Sequence, residues 1–126
     1  MEANAVYMTA EQIDDLREKV NAIEGLTELR AATTAWVNYH QAKMQFEQGE
    51  REDVPAYNSR ELRDLEKKYP RAAAFLKAES WVKSTDIAKV RFGSKACNRI
   101  IAGDNPEKVI EYMEMAYAAF KQAQEG

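Results

Sequence analysis

RAAAFLKAESWVKSTDIAKVRF, residues 71–92, decides the fold class. Within it Ala74, Ala78, Trp81, Thr85, Ala88 and Phe92 recur at steps of four, three, four, three and four, with Phe75 and Val82 at the shoulder. Steps of three and four put side chains on one face of an α-helix, whereas a strand would alternate every second residue. The spacing predicts a sustained helical seam ending at Gly93, and Pro70 just ahead of it suits a first helical turn, where its missing amide costs nothing.

Working outward, Ser94 is placed to cap a short helix burying Cys97, Ile100 and Ile101 and stopping at Gly103. Asn105 and Pro106 then give cap and first-turn signals for a last helix that buries Val109, Ile110, Met113, Ala116, Tyr117 and Phe120. Upstream, Ser59 caps a short helix presenting Leu62, Leu65 and Tyr69. The stretch GEREDVPAYNS, 49–59, has charge, Pro and Asn without apolar period, so 49–58 reads as an exposed loop. From Thr27 to about Gln48 a longer helix carries one stripe of Ala32, Ala35, Tyr39, Ala42 and Phe46, flanked by Leu29 and Trp36. A second stripe of Leu26, Val37 and Met44 lies about 140° around it. Two apolar sides imply a central helix, and continuity of both stripes predicts that Trp36 and Trp81 are largely buried. Before it, Thr9 and Gln12 have capping-box spacing, and Ile13, Leu16, Val20 and Ile23 follow at helical steps until Gly25.

No run of five residues alternates with period two and carries β-branched or aromatic residues, so no sheet is expected. The expected architecture is all-α: a single-domain bundle of five or six helices over 1–126, short helices around a long central helix, with 1–8 flexible. A chain of 126 residues fits one domain.

Charge is divided along the chain. Residues 1–57 carry 11 acids and 5 bases, 58–100 carry 5 acids and 11 bases, and 101–126 carry 5 acids and 2 bases. Either the basic middle packs beside the acidic ends or it forms a basic surface for an acidic partner. The start MEANAVYM lacks a basic region followed by an apolar one, no apolar run reaches the roughly 18 residues of a membrane span, and the lone Cys97 cannot form an internal disulfide. A cytoplasmic protein is the expectation.

Catalytic chemistry has little to work with. The glycines are scattered, so no phosphate-binding loop forms, and one His with one Cys cannot assemble a zinc or iron–sulfur ligand set. His40 has Trp36, not a carboxylate, one turn before it. Cys97 sits at an apolar position expected to leave it inert. No catalytic residue, cofactor or metal is assigned. Lys43 falls inside an apolar stripe: either its stem snorkels past Tyr39 and Phe46 toward solvent, or the stripe is an exposed partner surface there.

DIAKVRFGSKACNRIIAG, 86–103, resembles the helix-turn-helix of LacI-type repressors, but its Ala88-to-Gly93 interval is one residue longer and its second helix one residue shorter than that motif uses. Separately, YPRAAAFLKAESW, 69–81, and GSKACNRIIAGDNPEKVIEYMEM, 93–115, resemble the C-terminal half of small uncharacterised helical proteins of Firmicutes prophages and plasmids. That resemblance covers under half of the chain and implies a mobile-element accessory protein without naming an activity.

The functional expectation is a non-enzymatic protein-interaction module, one by which a phage or mobile element binds and inhibits a host defence protein, with Tyr57, Tyr112 and Met115 as protein-binding residues. The alternative is a nucleic-acid-binding accessory protein using the basic segment 58–100, with Lys89, Arg91, Lys95 and Arg99 on phosphates. A homo-oligomer is compatible with either.

Overall fold

The computed structural model describes residues 9–125, which form six α-helices: α1 (Ala10–Asn21), α2 (Leu26–Glu47), α3 (Ser59–Lys68), α4 (Pro70–Val82), α5 (Ile87–Ile101) and α6 (Pro106–Glu125). No strand occurs among the described residues, and the expected all-α architecture holds. The expectation that 1–8 is flexible lies outside the described residues.

The sequence stretch 71–92 is two helices rather than one. The break falls at Lys83–Asp86, where Asp86 adopts an extended conformation and its carboxylate accepts the Ala88 amide at 3.0 Å, starting α5. Residue Gly93, read as a stop, lies inside α5 and is buried. Its role is steric: a Cβ there would sit 2.7 Å from Trp81 Cβ and 2.8 Å from the Ala78 carbonyl oxygen. The missing side chain lets α4 and α5 press backbone against backbone. Ser94 accordingly caps nothing and sits mid-helix. The α4–α5 pair is an antiparallel hairpin: at its far end Arg71 donates Nη1 to the carbonyls of Ile100 and Asp104, each at 2.9 Å, holding the last turn of α5 against the first turn of α4.

Helix α4 is the hub. Ala72, Ala74, Phe75 and Ala78 are buried, and α2, α3, α5 and α6 all pack on it. The small residues of this helix keep its neighbours close, while Leu29, Ile100 and Met113 from α2, α5 and α6 supply large, fully enclosed side chains. Thus the long helix α2 is not the central one. Only Leu26, Leu29 and Ala42 of α2 are buried; its outer half outruns the core, and Trp36 is 43% exposed instead of largely buried. Trp81 is half-buried, its ring meeting Tyr117 edge-on at 5.2 Å. Phe120, expected in the core, is exposed near the end of α6.

Local signals otherwise place the elements well. Thr9 and Gln12 form the capping box of α1. Asn58, one residue before the expected Ser59, caps α3 through its bond from the Arg60 amide. Asn105 accepts the Lys108 amide at the head of α6. Gly25 turns the chain between α1 and α2 with φ 79°, and a Cβ there would collide with the Tyr69 ring. The α1 stripe reaches the core only through Ile23 and, partly, Val20; none of its helical residues is fully buried.

Candidate interaction surface on α5 and α6

Since Gly93, Ala96 and Ile100 turn α5 toward its neighbours, the residues on the opposite side of the helix face solvent. Ile87, Arg91, Lys95 and Arg99 follow one another at four-residue steps and form that outer stripe, each exposed. Lys89 does not join them. About 100° per residue puts it with Gly93 and Ala96, and there its half-buried side chain brings the ammonium 5.2 Å from the Trp81 ring centre and 5.5 Å from that of Tyr117. Its cation–π contacts hold the hairpin end, so the expected four-residue basic set reduces to three outward cations.

Helix α6 runs antiparallel beside α5 and adds the apolar part. Tyr112 is 53% and Met115 64% exposed, and the Arg99 guanidinium lies 5.4 Å from the Tyr112 ring centre. Around them Arg99, Lys108, Tyr112 and Met115 line a shallow hollow of about 540 Å³, together with Asp104 and Glu111. At the other end Ile87, Arg91, Phe92 and Phe120 line a second hollow of about 500 Å³. Arg91 and Arg99 are eight residues apart, or roughly 12 Å along the helix at 1.5 Å per residue. The surface is thus a pair of aromatic hollows, each beside a guanidinium, with Lys95 between.

The α5 register depends on a cluster at its start. Tyr117 donates its hydroxyl to Asp86 Oδ2 at 2.6 Å, which holds the Asp86 carboxyl below its ordinary pKa and raises that of Tyr117. With one carboxylate oxygen on the Ala88 amide and the other on Tyr117, Asp86 fixes both the first turn of α5 and its alignment with α6. Sequence reasoning missed this pair; the run Ser84-Thr85-Asp86 before Ile87 was the available capping signal.

The remaining expected residues lie elsewhere. Tyr57 is half-buried and stacks on Tyr39 of α2 at 4.9 Å, pinning the end of the 49–58 segment to α2, whereas Tyr112 and Met115 belong to α6. Most of that segment is exposed, as expected, with Val54 and Tyr57 its inward anchors. His40 has Trp36 at 4.3 Å and Tyr39 at 5.4 Å between ring centres. Burial pushes the Cys97 thiol up to about 11, so at neutral pH it is protonated and a poor nucleophile. Among the described residues no group of three or more His, Cys, Asp or Glu side chains is arranged to hold a metal, and no helix is long and apolar enough to cross a membrane.

No protein-family model, curated protein or solved structure matches this chain.

Proposed function

We propose that the protein is a non-enzymatic interaction module whose α5–α6 face receives an acidic, amphipathic segment of a protein partner. The observation that carries this reading is the pairing of cation and aromatic in both hollows: Arg99 over Tyr112 at one end, Arg91 beside Phe92 and Phe120 at the other. Exposed aromatic, methionine and arginine side chains are the types enriched at the centres of protein interfaces. A spacing of roughly 12 Å fits apolar anchors two helical turns apart on a docked helix, whose acids would meet Arg91, Lys95 and Arg99. Inhibition of a host defence protein by a mobile element belongs to the same proposal; the sequence resemblance of 69–81 and 93–115 supports the mobile-element part of it and names no activity.

The nucleic-acid reading has less support. Helix α5 is continuous through residue 93, so 86–103 is not a helix-turn-helix. Lys89 is turned inward, and Asp104 and Glu111 line the hollow that Arg99 and Lys108 would offer a phosphate chain. A phosphate chain, charged at every unit, meets those carboxylates at a cost that a partner helix avoids by placing apolar side chains in the hollow and its acids against Arg91, Lys95 and Arg99.

Affinity capture from lysate of the native host, with and without nuclease treatment and with wild type and Tyr112→Ala/Met115→Ala, tests the proposal. A discrete protein retained by wild type and lost by the variant supports it. Retention that disappears with nuclease restores the nucleic-acid reading, and equal retention by both proteins removes the α5–α6 face from the account.

A further inference from the structure

At the end of the bundle where α1, α3 and α5 finish and α4 and α6 begin lies a hollow of about 570 Å³. It shares no lining residue with either hollow of the α5–α6 face. Three elements each contribute a cation to its lining: Lys19 from the last turn of α1, Lys68 from the end of α3 and Arg71 from the first turn of α4. Glu24 is the only acid among the described residues that line it, so the lining is net positive. Two of the cations are held in place. Arg71 is half-buried, and its Nη1 donates to the carbonyls of Ile100 and Asp104, which covers oxygens that would otherwise repel an anion. Its Nε and Nη2 have no hydrogen-bond partner among the described residues. Lys68 sets its ammonium 5.3 Å from the Tyr69 ring centre and forms no ion pair among the described residues. That ring is fixed in turn against Gly25, where a Cβ would meet it. Between the cations the lining is apolar, from Ile23, Tyr69, Ile101 and the Pro106 ring.

We infer that this hollow is a binding site for a small organic phosphate, with the phosphate group among Lys19, Lys68 and Arg71 and the body of the ligand on Tyr69, Ile101 and Pro106. Three cations around one concavity repel one another and focus a positive potential in it, and a bound anion relieves that repulsion. A phosphate group suits them because it offers acceptor oxygens to several charged donors at once, whereas a carboxylate is filled by one guanidinium. The apolar lining adds nothing for a bare phosphate ion, but it gains from covering a ring or alkyl body. The volume falls within the range of about 300 to 1,000 Å³ usual for small-molecule sites, and their usual make-up is likewise an apolar lining with a few placed polar groups. The seat is built from side chains, so it needs none of the clustered glycines of a phosphate-binding loop.

Backbone amide chemical shifts of the full chain, followed as adenosine monophosphate, inorganic phosphate or adenosine is added, test the inference. Adenosine monophosphate is expected to shift amides within 19–24, 68–71 and 100–106 saturably. Inorganic phosphate should shift the same amides with weaker affinity, and adenosine should leave them in place. Lys68→Glu, at an exposed position and so compatible with folding, is expected to weaken nucleotide binding by about tenfold or more with an unchanged helical circular-dichroism spectrum. Arg63→Glu makes the same change of charge at an exposed position of α3 outside the hollow, and should bind the nucleotide like wild type. No saturable shift at about 10 mM nucleotide overturns the inference. So do shifts spread alike over the exposed cations of α3 and α5, adenosine acting as strongly as its phosphate, or binding that survives Lys68→Glu.

Discussion

Gly93 of α5 lies against Trp81 of α4 with no room for even a methyl group: the nearest atoms to an added Cβ are Trp81 Cβ at 2.7 Å and the Ala78 carbonyl oxygen at 2.8 Å. Both are held by helix α4 and neither is the free end of a flexible side chain. Gly93→Ala should therefore destabilise the protein by about 1 to 3 kcal/mol, overcoming the roughly 1 kcal/mol that alanine gains over glycine within a helix. Urea denaturation followed by circular dichroism measures this. A stabilised variant would show that the hairpin is looser than described.

Trp81 itself should be a structural residue. Its ring meets Tyr117 and carries the Lys89 ammonium on its face, yet it is only half-buried. Trp81→Ala should cost about 2 to 4 kcal/mol, at or just below the range for a large buried aromatic. A cost under about 1 kcal/mol would place the indole outside the packed core.

How much of this was legible in the sequence depends on whether a signal was local. The capping box at Thr9 and Gln12, the Asn105-Pro106 start and the Gly103 turn act within a few residues of themselves and form where the sequence puts them, whereas Gly25, expected to stop α1, stands at the head of α2 after α1 has ended at Asn21. The break at 83–86 was hidden because Trp81 and Phe92 both face inward from opposite arms of a hairpin, so the three-and-four rhythm runs through the turn unbroken. Gly93 looked like a helix stop because its reason is a neighbour twelve residues away in the chain. Trp36 looked buried because a stripe records which face is apolar, not how far the covering helices extend. The basic stripe was half legible: Arg91, Lys95 and Arg99 share a face by spacing alone, while its junction with Tyr112 and Met115 required the packing of α6.

An ion pair should give the fold a defined acid sensitivity. Arg30 of α2 donates through both terminal nitrogens to Glu79 of α4 at 2.7 and 2.8 Å, and that bond holds the Glu79 carboxyl below its ordinary value of 4.5. A carboxyl more acidic when folded stabilises the fold fully above its ordinary value and loses that contribution as pH falls through the lower folded value. Arg30 is 41% exposed, so the pair is worth at most about 1 kcal/mol. Glu79→Gln should melt below wild type at neutral pH, and the two melting curves should converge in acid. A gap that persists below pH of about 2 would assign the difference to packing.

Tyr57 presents the reverse case, a polar group whose removal should help. Its hydroxyl is buried without a hydrogen-bond partner among the described residues while its ring stacks on Tyr39. Tyr57→Phe keeps the stack and removes the unsatisfied group, so thermal melting should show stability unchanged or raised by up to about 1 kcal/mol, whereas Tyr57→Ala should be lower than wild type. Destabilisation by the phenylalanine substitution would mean that the hydroxyl is bonded in solution.

The proposal that the α5–α6 face binds a protein is tested most directly by a photo-crosslinking side chain placed at Met115, which is 64% exposed beside Tyr112 and Arg99. In lysate of the native host the account predicts irradiation-dependent attachment of a discrete, nuclease-resistant protein at Met115, suppressed when Arg91 and Arg99 are both changed to Glu. The same crosslinker at exposed Glu66 of α3 should give no such product. No adduct at Met115, or one consisting of nucleic acid, would contradict the account.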